Sequence, residues 1–116
     1  MMTLQLPFST TVRVGEVVAV SGQLGLRNGE LVDGGIKAQT SQAIENLKAA
    51  LAGEGLGLEN VVKVNVYLID MRDFAAMNEV YGPAFGEKLP ARTAVAVAGL
   101  PQGGVVELEA WAHADR

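Results

Sequence analysis

The chain is 116 residues long, which accommodates one domain over residues 1–116 around one modest core. Hydrophobic residues make up 49% of it and charged residues 19%, which excludes intrinsic disorder, and a net charge of −4 argues against a general polyanion-binding surface. There is no cysteine and a single histidine, His113, so disulfides, thiol nucleophiles, thiolate metal sites and a Ser–His–Asp triad are all set aside.

Met1 to Phe8 has neither the positive n-region nor the apolar h-region of a signal peptide, and no run reaches transmembrane length. The expectation is a cytoplasmic protein with no membrane partner. Thr11–Val14 and Val17–Ser21 are β-branched runs separated by Gly15-Glu16, a spacing that predicts a tight hairpin. Arg27-Asn28-Gly29-Glu30 is a second turn signal, flanked by short strands. After Asp33-Gly34-Gly35 the period changes. Ile36, Thr40, Ala43, Ile44, Leu47, Ala50 and Leu51 recur at helical spacing, with Asp33 as the expected cap and Gly53 and Gly55 as the stop.

Val61–Asp70 reads as a strand with Val62, Val64, Val66 and Leu68 on one face and Tyr67 and Ile69 on the other. A second helix follows Asp70 or Asp73, its inner stripe being Phe74, Met77, Val80, Tyr81, Ala84 and Phe85. Gly82-Pro83 is expected to bend it or end it early. Thr93–Ala98 and Val105–Ala112 are the last strands. The order predicts an α+β domain, a mixed sheet with two helices on one face. The other face carries Val105, Glu107, Glu109 and Trp111 on the last strand, a mixture of apolar and acidic side chains. Together with the high apolar load, this predicts that a second subunit covers it.

The usable reactive groups are then carboxylates, arginines, hydroxyls and backbone amides. Ser21-Gly22-Gln23 ends an apolar strand with small residues, which lets a ligand approach the backbone, although it also reads as an ordinary strand-to-turn exit. Arg92 precedes a strand of small residues, where a guanidinium can hold a carboxylate in a bidentate fork or simply snorkel at a strand end. Glu107 and Glu109 share a strand face roughly 6.5 Å apart, spaced for paired carboxylate chemistry or as solvated side chains of an open face. Tyr67, Tyr81 and Trp111 read as packing residues.

Taken in order, these segments resemble the Rid (YjgF-type) family of reactive-intermediate/imine deaminases from about Pro7 to Ala112. The resemblance is carried by Ser21-Gly22-Gln23, by Gln39 and Gln42 with Asn46-Leu47, and by Val62 to Leu68. It continues through Asp70-Met71-Arg72-Asp73-Phe74, Met77-Asn78-Glu79-Val80-Tyr81 and Pro90-Ala91-Arg92, and closes with Leu100-Pro101-Gln102-Gly103 and Val106 to Ala110. It implies a chorismate-mutase-like α+β fold assembled as a homotrimer with clefts at the subunit interfaces. It also implies hydrolysis of enamine/imine intermediates such as 2-aminoacrylate to a 2-keto acid and ammonia, with no metal or organic cofactor.

By the same resemblance Arg92 clamps the substrate carboxylate and Glu109 positions or activates the water, with Ser21, Gly22, Asn78, Thr93 and Ala94 lining the cleft. Phe8 stands where the family commonly has a tyrosine, keeping an aromatic wall without its hydroxyl. Ala94 stands where cysteine is frequent, which widens the pocket. Two rival expectations are a deaminase of a larger amino-acrylate-like substrate and a non-catalytic trimer that binds small carboxylates. A nucleic-acid partner is not expected from the acidic charge balance.

Overall fold

The computed structural model describes residues 6–116, so the part of the N-terminal reading that concerns residues 1–5 lies outside the described residues. The chain opens with β1 (Thr11–Val14) and β2 (Val17–Leu24), which pair antiparallel across Gly15-Glu16, as their spacing predicts. Gly15 has φ +58°, the left-handed conformation a two-residue hairpin turn requires. β2 runs three residues past Ser21. A bulge between Val20 and Gln23 absorbs Ser21-Gly22 and lets the strand stay paired to the far side of the sheet. Leu26–Arg27 (β3) and Glu30–Leu31 (β4) form a small separate hairpin about Asn28 and Gly29, both at positive φ.

Helix α1 (Gly35–Ala52) buries Gln39, Thr40, Ala43, Ile44, Leu47 and Leu51: Gln39 joins the predicted stripe, and Ile36 and Ala50 are only half-buried. Its cap is not Asp33. Gly34 takes the N-cap position with φ +115° and no side chain bonds the first turn, because the left-handed glycine separates Asp33 from those amides. Strand β5 (Val61–Leu68) corrects a second expectation. A bulge between Val61 and Lys63 turns Val61 into the core beside Val64, Val66 and Leu68 and leaves Val62 outside, 38% exposed. The strand ends at Leu68, two residues short of the expected limit.

Helix α2 (Phe74–Phe85) buries Met77, Tyr81 and Phe85, while Ala84 faces solvent. Pro83 neither ends the helix early nor shortens it. It falls in the last turn, where it removes a single ladder bond, and the Gly86 amide closes that turn onto the Gly82 carbonyl at 3.2 Å. Strands β6 (Ala91–Ala96) and β7 (Val106–His113) complete the sheet in the order β1-β2-β7-β5-β6. Only β5 and β6, joined through α2, are parallel. The result is the expected α+β architecture. Both helices lie on one face over Val18, Val20, Val64, Val66, Leu108 and Ala110, all buried. The opposite face is open, with Val17, Val95 and Trp111 each more than two-fifths exposed. Among the described residues no helix is long and apolar enough to cross a membrane.

Candidate active site

Strand alternation along β6 decides where its side chains go. Arg92 and Ala94 turn toward the helices and Thr93 and Val95 toward the open face. Because β6 is the edge strand, Arg92 lies beside α2 at the margin of the core. Its Nη1 donates to Asn78 Oδ1 at 2.7 Å, and its guanidinium carbon sits 4.8 Å from the centroid of the Tyr81 ring and 5.4 Å from that of Phe74. Asn78 and the two rings come from one stripe of α2, at spacings that stack them along a single helix face. The guanidinium is therefore oriented by one hydrogen bond to oxygen, a longer one from Nη1 to the Met77 sulfur at 3.9 Å, and two cation–π contacts. None of its other donor groups has an oxygen partner among the described residues.

Tyr81 itself is 4% exposed, and its hydroxyl has no hydrogen-bond partner among the described residues. Burial pushes its phenol up to about 12, against the pull of the nearby Arg92 charge. Asn78, Tyr81, Gly82, Leu89, Pro90 and Arg92 together line a cavity of about 310 Å³. Two larger surface hollows, bounded by Arg27, Asp33 and Gln42 and by Lys48, Leu56 and Glu59, lie away from this arginine.

The second group of candidates lies on the open face. Glu109 faces Asn65 across the β5–β7 register, and Thr93 faces Asn65 across the β5–β6 register, so the three form one row. Glu109 Oε1 accepts from Asn65 Nδ2 at 2.9 Å and from the Tyr67 hydroxyl in a very short hydrogen bond. That bond, with burial and the two neighbouring carboxylates, raises the Tyr67 pKa. Thr93 Oγ1 accepts from Lys63 Nζ at 2.9 Å. Glu107 makes no side-chain hydrogen bond among the described residues. Burial, and secondarily the charge of Glu109, raise its pKa above the ordinary glutamate value.

Ser21 and Gly22 join Glu107 here. A Cβ on Gly22 would come within 2.7 Å of the Glu107 carboxyl carbon, so the glycine permits this close approach. Ser21 Oγ donates to the Ser9 carbonyl at 2.6 Å, which ties the segment carrying the exposed Phe8 alongside β2. Among the described residues, no cluster of His, Asp or Glu side chains is arranged to hold a metal ion.

The predicted residues thus fall into two sets. Arg92, Asn78 and Ala94 belong to the helix side of β6, whereas Ser21, Gly22, Thr93 and Glu109 belong to the open face. Arg92 and Glu109 are not brought together within one chain: they lie on opposite faces with β5 between their strands, roughly 10 Å of lateral separation alone. The sequence reading missed Asn65 and Tyr67 as partners of Glu109, and Phe74 and Tyr81 as the bed of Arg92. The helical spacing of Phe74, Asn78 and Tyr81 was a usable signal for the second pair. Nothing local revealed the first, because register across strands is not written in either strand alone.

A mixed sheet under two helices is the α+β fold of the Rid proteins. RidA from an Antarctic Psychrobacter superimposes with a TM-score of 0.90 at 46% identity, covering 96% of this chain and 91% of that one. The family model described as Endoribonuclease L-PSP matches residues 2–114, and the chain belongs to this family, the YjgF/Rid family. A RutC family protein of Pyrococcus abyssi is 50% identical over 109 residues, covering 92% of this chain and 86% of that protein. The 2-iminobutanoate/2-iminopropanoate deaminase of Mus musculus is 45% identical over 108 residues, covering 91% and 80% respectively.

Proposed function

We propose that this protein hydrolyses enamine/imine intermediates such as 2-aminoacrylate, through the tautomeric imine, to a 2-keto acid and ammonia. The observation that carries this reading is the Arg92 guanidinium, pinned by Asn78 and backed by two rings, with the rest of its donors uncommitted. A planar fork held in one orientation suits a carboxylate. The mouse relative, named for imine deamination, supports the reaction class.

The site is completed by a second copy in a homotrimer. Arg92, Asn78, Ala94 and the Thr93 backbone of one subunit face Ser21, Gly22, Phe8 and the carboxylate pair of the next. Water adds to the imine carbon, a proton passes to nitrogen, and the C–N bond breaks as ammonia leaves. An imine is already electrophilic, so orientation and one placed water are sufficient help. The water-handling role expected of Glu109 is better shared: Asn65 and Tyr67 both bond one oxygen of that carboxylate, while Glu107 beside Gly22 has no side-chain hydrogen bond among the described residues and takes the proton from water and returns it to nitrogen. The net charge of −4 favours a small anion held by one arginine over a nucleic acid held by many cations.

The test is to generate 2-aminoacrylate with a PLP-dependent dehydratase and follow its loss with and without this protein. Acceleration is expected, and Arg92→Ala should reduce kcat/KM by about 10²-fold or more and weaken 2-keto acid binding with it. Tight 2-keto acid binding with no acceleration would leave a carboxylate-binding trimer and refute the enzyme.

A further inference from the structure

We propose that Gly82 sets the size of substrate this chain accepts, by keeping open an apolar pocket for the side chain of an aliphatic or aromatic 2-imino acid. The inference rests on the proposed function in one respect, the use of Arg92 as carboxylate anchor. Gly82 lies inside α2, one turn beyond Asn78, and its φ is not positive, so the backbone does not demand glycine there. Helix propensity disfavours glycine at such a position. Apart from Pro83, whose ring crowds a Cβ on the helical residue before it, no neighbour demands it either: beyond its chain neighbours and the helix's own backbone, a Cβ at Gly82 would meet nothing within 4 Å. What glycine leaves at this point is space, and that space belongs to the cavity of about 310 Å³ beside Arg92.

The composition of the wall identifies the occupant. Arg92 and Asn78 supply the polar end, while Tyr81, Gly82, Leu89 and Pro90 supply the remainder. Arg92 is the only charged side chain among them. Along this wall a second carboxylate on the substrate would find no counter-charge once Arg92 is engaged, whereas a hydrocarbon side chain would bury against the ring of Tyr81 and the apolar surfaces of Leu89 and Pro90. A cavity of about 150 Å³ already accepts benzene, so a methyl group would leave this one mostly empty. With the carboxylate in the fork of Arg92, a branched or aromatic substituent on C2 runs over Gly82 toward Leu89.

The experiment compares imines released by an amino-acid oxidase from alanine, leucine and phenylalanine, assayed with the wild-type protein, Gly82→Ala and Gly82→Leu. The quantity read is the ratio of kcat/KM for each large imine to that for the alanine-derived one. Gly82→Leu should lower this ratio by about tenfold or more, and Gly82→Ala should lower it less, in the same direction. In parallel, calorimetry measures binding of pyruvate and 4-methyl-2-oxopentanoate to the same proteins. Turnover with an unchanged ratio overturns the inference and leaves the deaminase standing. Absence of turnover, with selective loss of 4-methyl-2-oxopentanoate binding in the Gly82 variants, overturns the deaminase and leaves the pocket standing. If Gly82→Leu does not fold, Gly82→Ala decides, since its single methyl group is the smallest addition at the site: an unchanged ratio, with 4-methyl-2-oxopentanoate binding no weaker relative to pyruvate, overturns the inference.

Discussion

Arg92 and the two glutamates show how neighbours assign a role to a side chain whose type alone is ambiguous. Beneath Arg92, the Tyr81 hydroxyl is buried without a partner among the described residues, a state that costs about 1–3 kcal/mol. Tyr81→Phe keeps the ring face and removes that orphan, so the melting temperature should hold or rise and Arg92-dependent binding should persist. A lower melting temperature would mean that the hydroxyl is bonded in solution. Across the sheet, burial and Glu109 hold the Glu107 carboxyl protonated to a higher pH than an ordinary glutamate, about 4.3. A base must be ionised, so the acid limb of kcat/KM should lie above that value. Glu107→Gln should abolish the limb and slow turnover by about 10²-fold. Loss of the limb in Glu109→Gln instead would return the role to Glu109. The linkage for stability has the opposite sense: a carboxyl whose pKa folding raises favours the fold below its unfolded value, and this contribution is lost as pH rises through the folded value. Arg92 was legible through the Pro90-Ala91-Arg92 motif. The different surroundings of Glu107 and Glu109 were not, because they depend on Asn65, Tyr67 and Gly22 arriving from two other strands.

Helix α1 holds the elements together through one corner. Gly25, buried between β2 and β3, lies where a Cβ would come 2.6 Å from the Gln39 Cα and 2.8 Å from its carbonyl oxygen. The Gln39 side chain in turn accepts the Val105 amide at 2.9 Å, just before β7. Gly25→Ala must separate two backbones rather than reorient a side chain. It should cost about 1–3 kcal/mol, read as a lower urea midpoint with an unchanged slope. Hydrophobic period alone made the main strands and both helices legible. The errors at Asp33, Val62 and Pro83 are of one kind. Each turns on a single residue of offset, from a left-handed Gly34, a bulge at Val61–Lys63, or the distance from Pro83 to the helix end. A periodic reading has no means of registering such offsets.

The whole molecule presents two kinds of unfinished surface: an apolar open face bearing Val17, Val95 and Trp111, and two sets of polar residues that do not meet. The apolar load of the chain is the ground for expecting a partner, and it does not say which residues would face each other across that contact. Sedimentation should give a trimer. If each site takes its arginine from one subunit and its carboxylate from the next, activity is a property of contacts rather than of chains. Arg92→Ala and Glu107→Gln, each about a hundredfold impaired alone, should then restore one another when unfolded and refolded together. Random mixing would regenerate about a quarter of the native sites. Two crippled preparations would become one active enzyme, whereas a site contained within a single chain would stay crippled in every mixture.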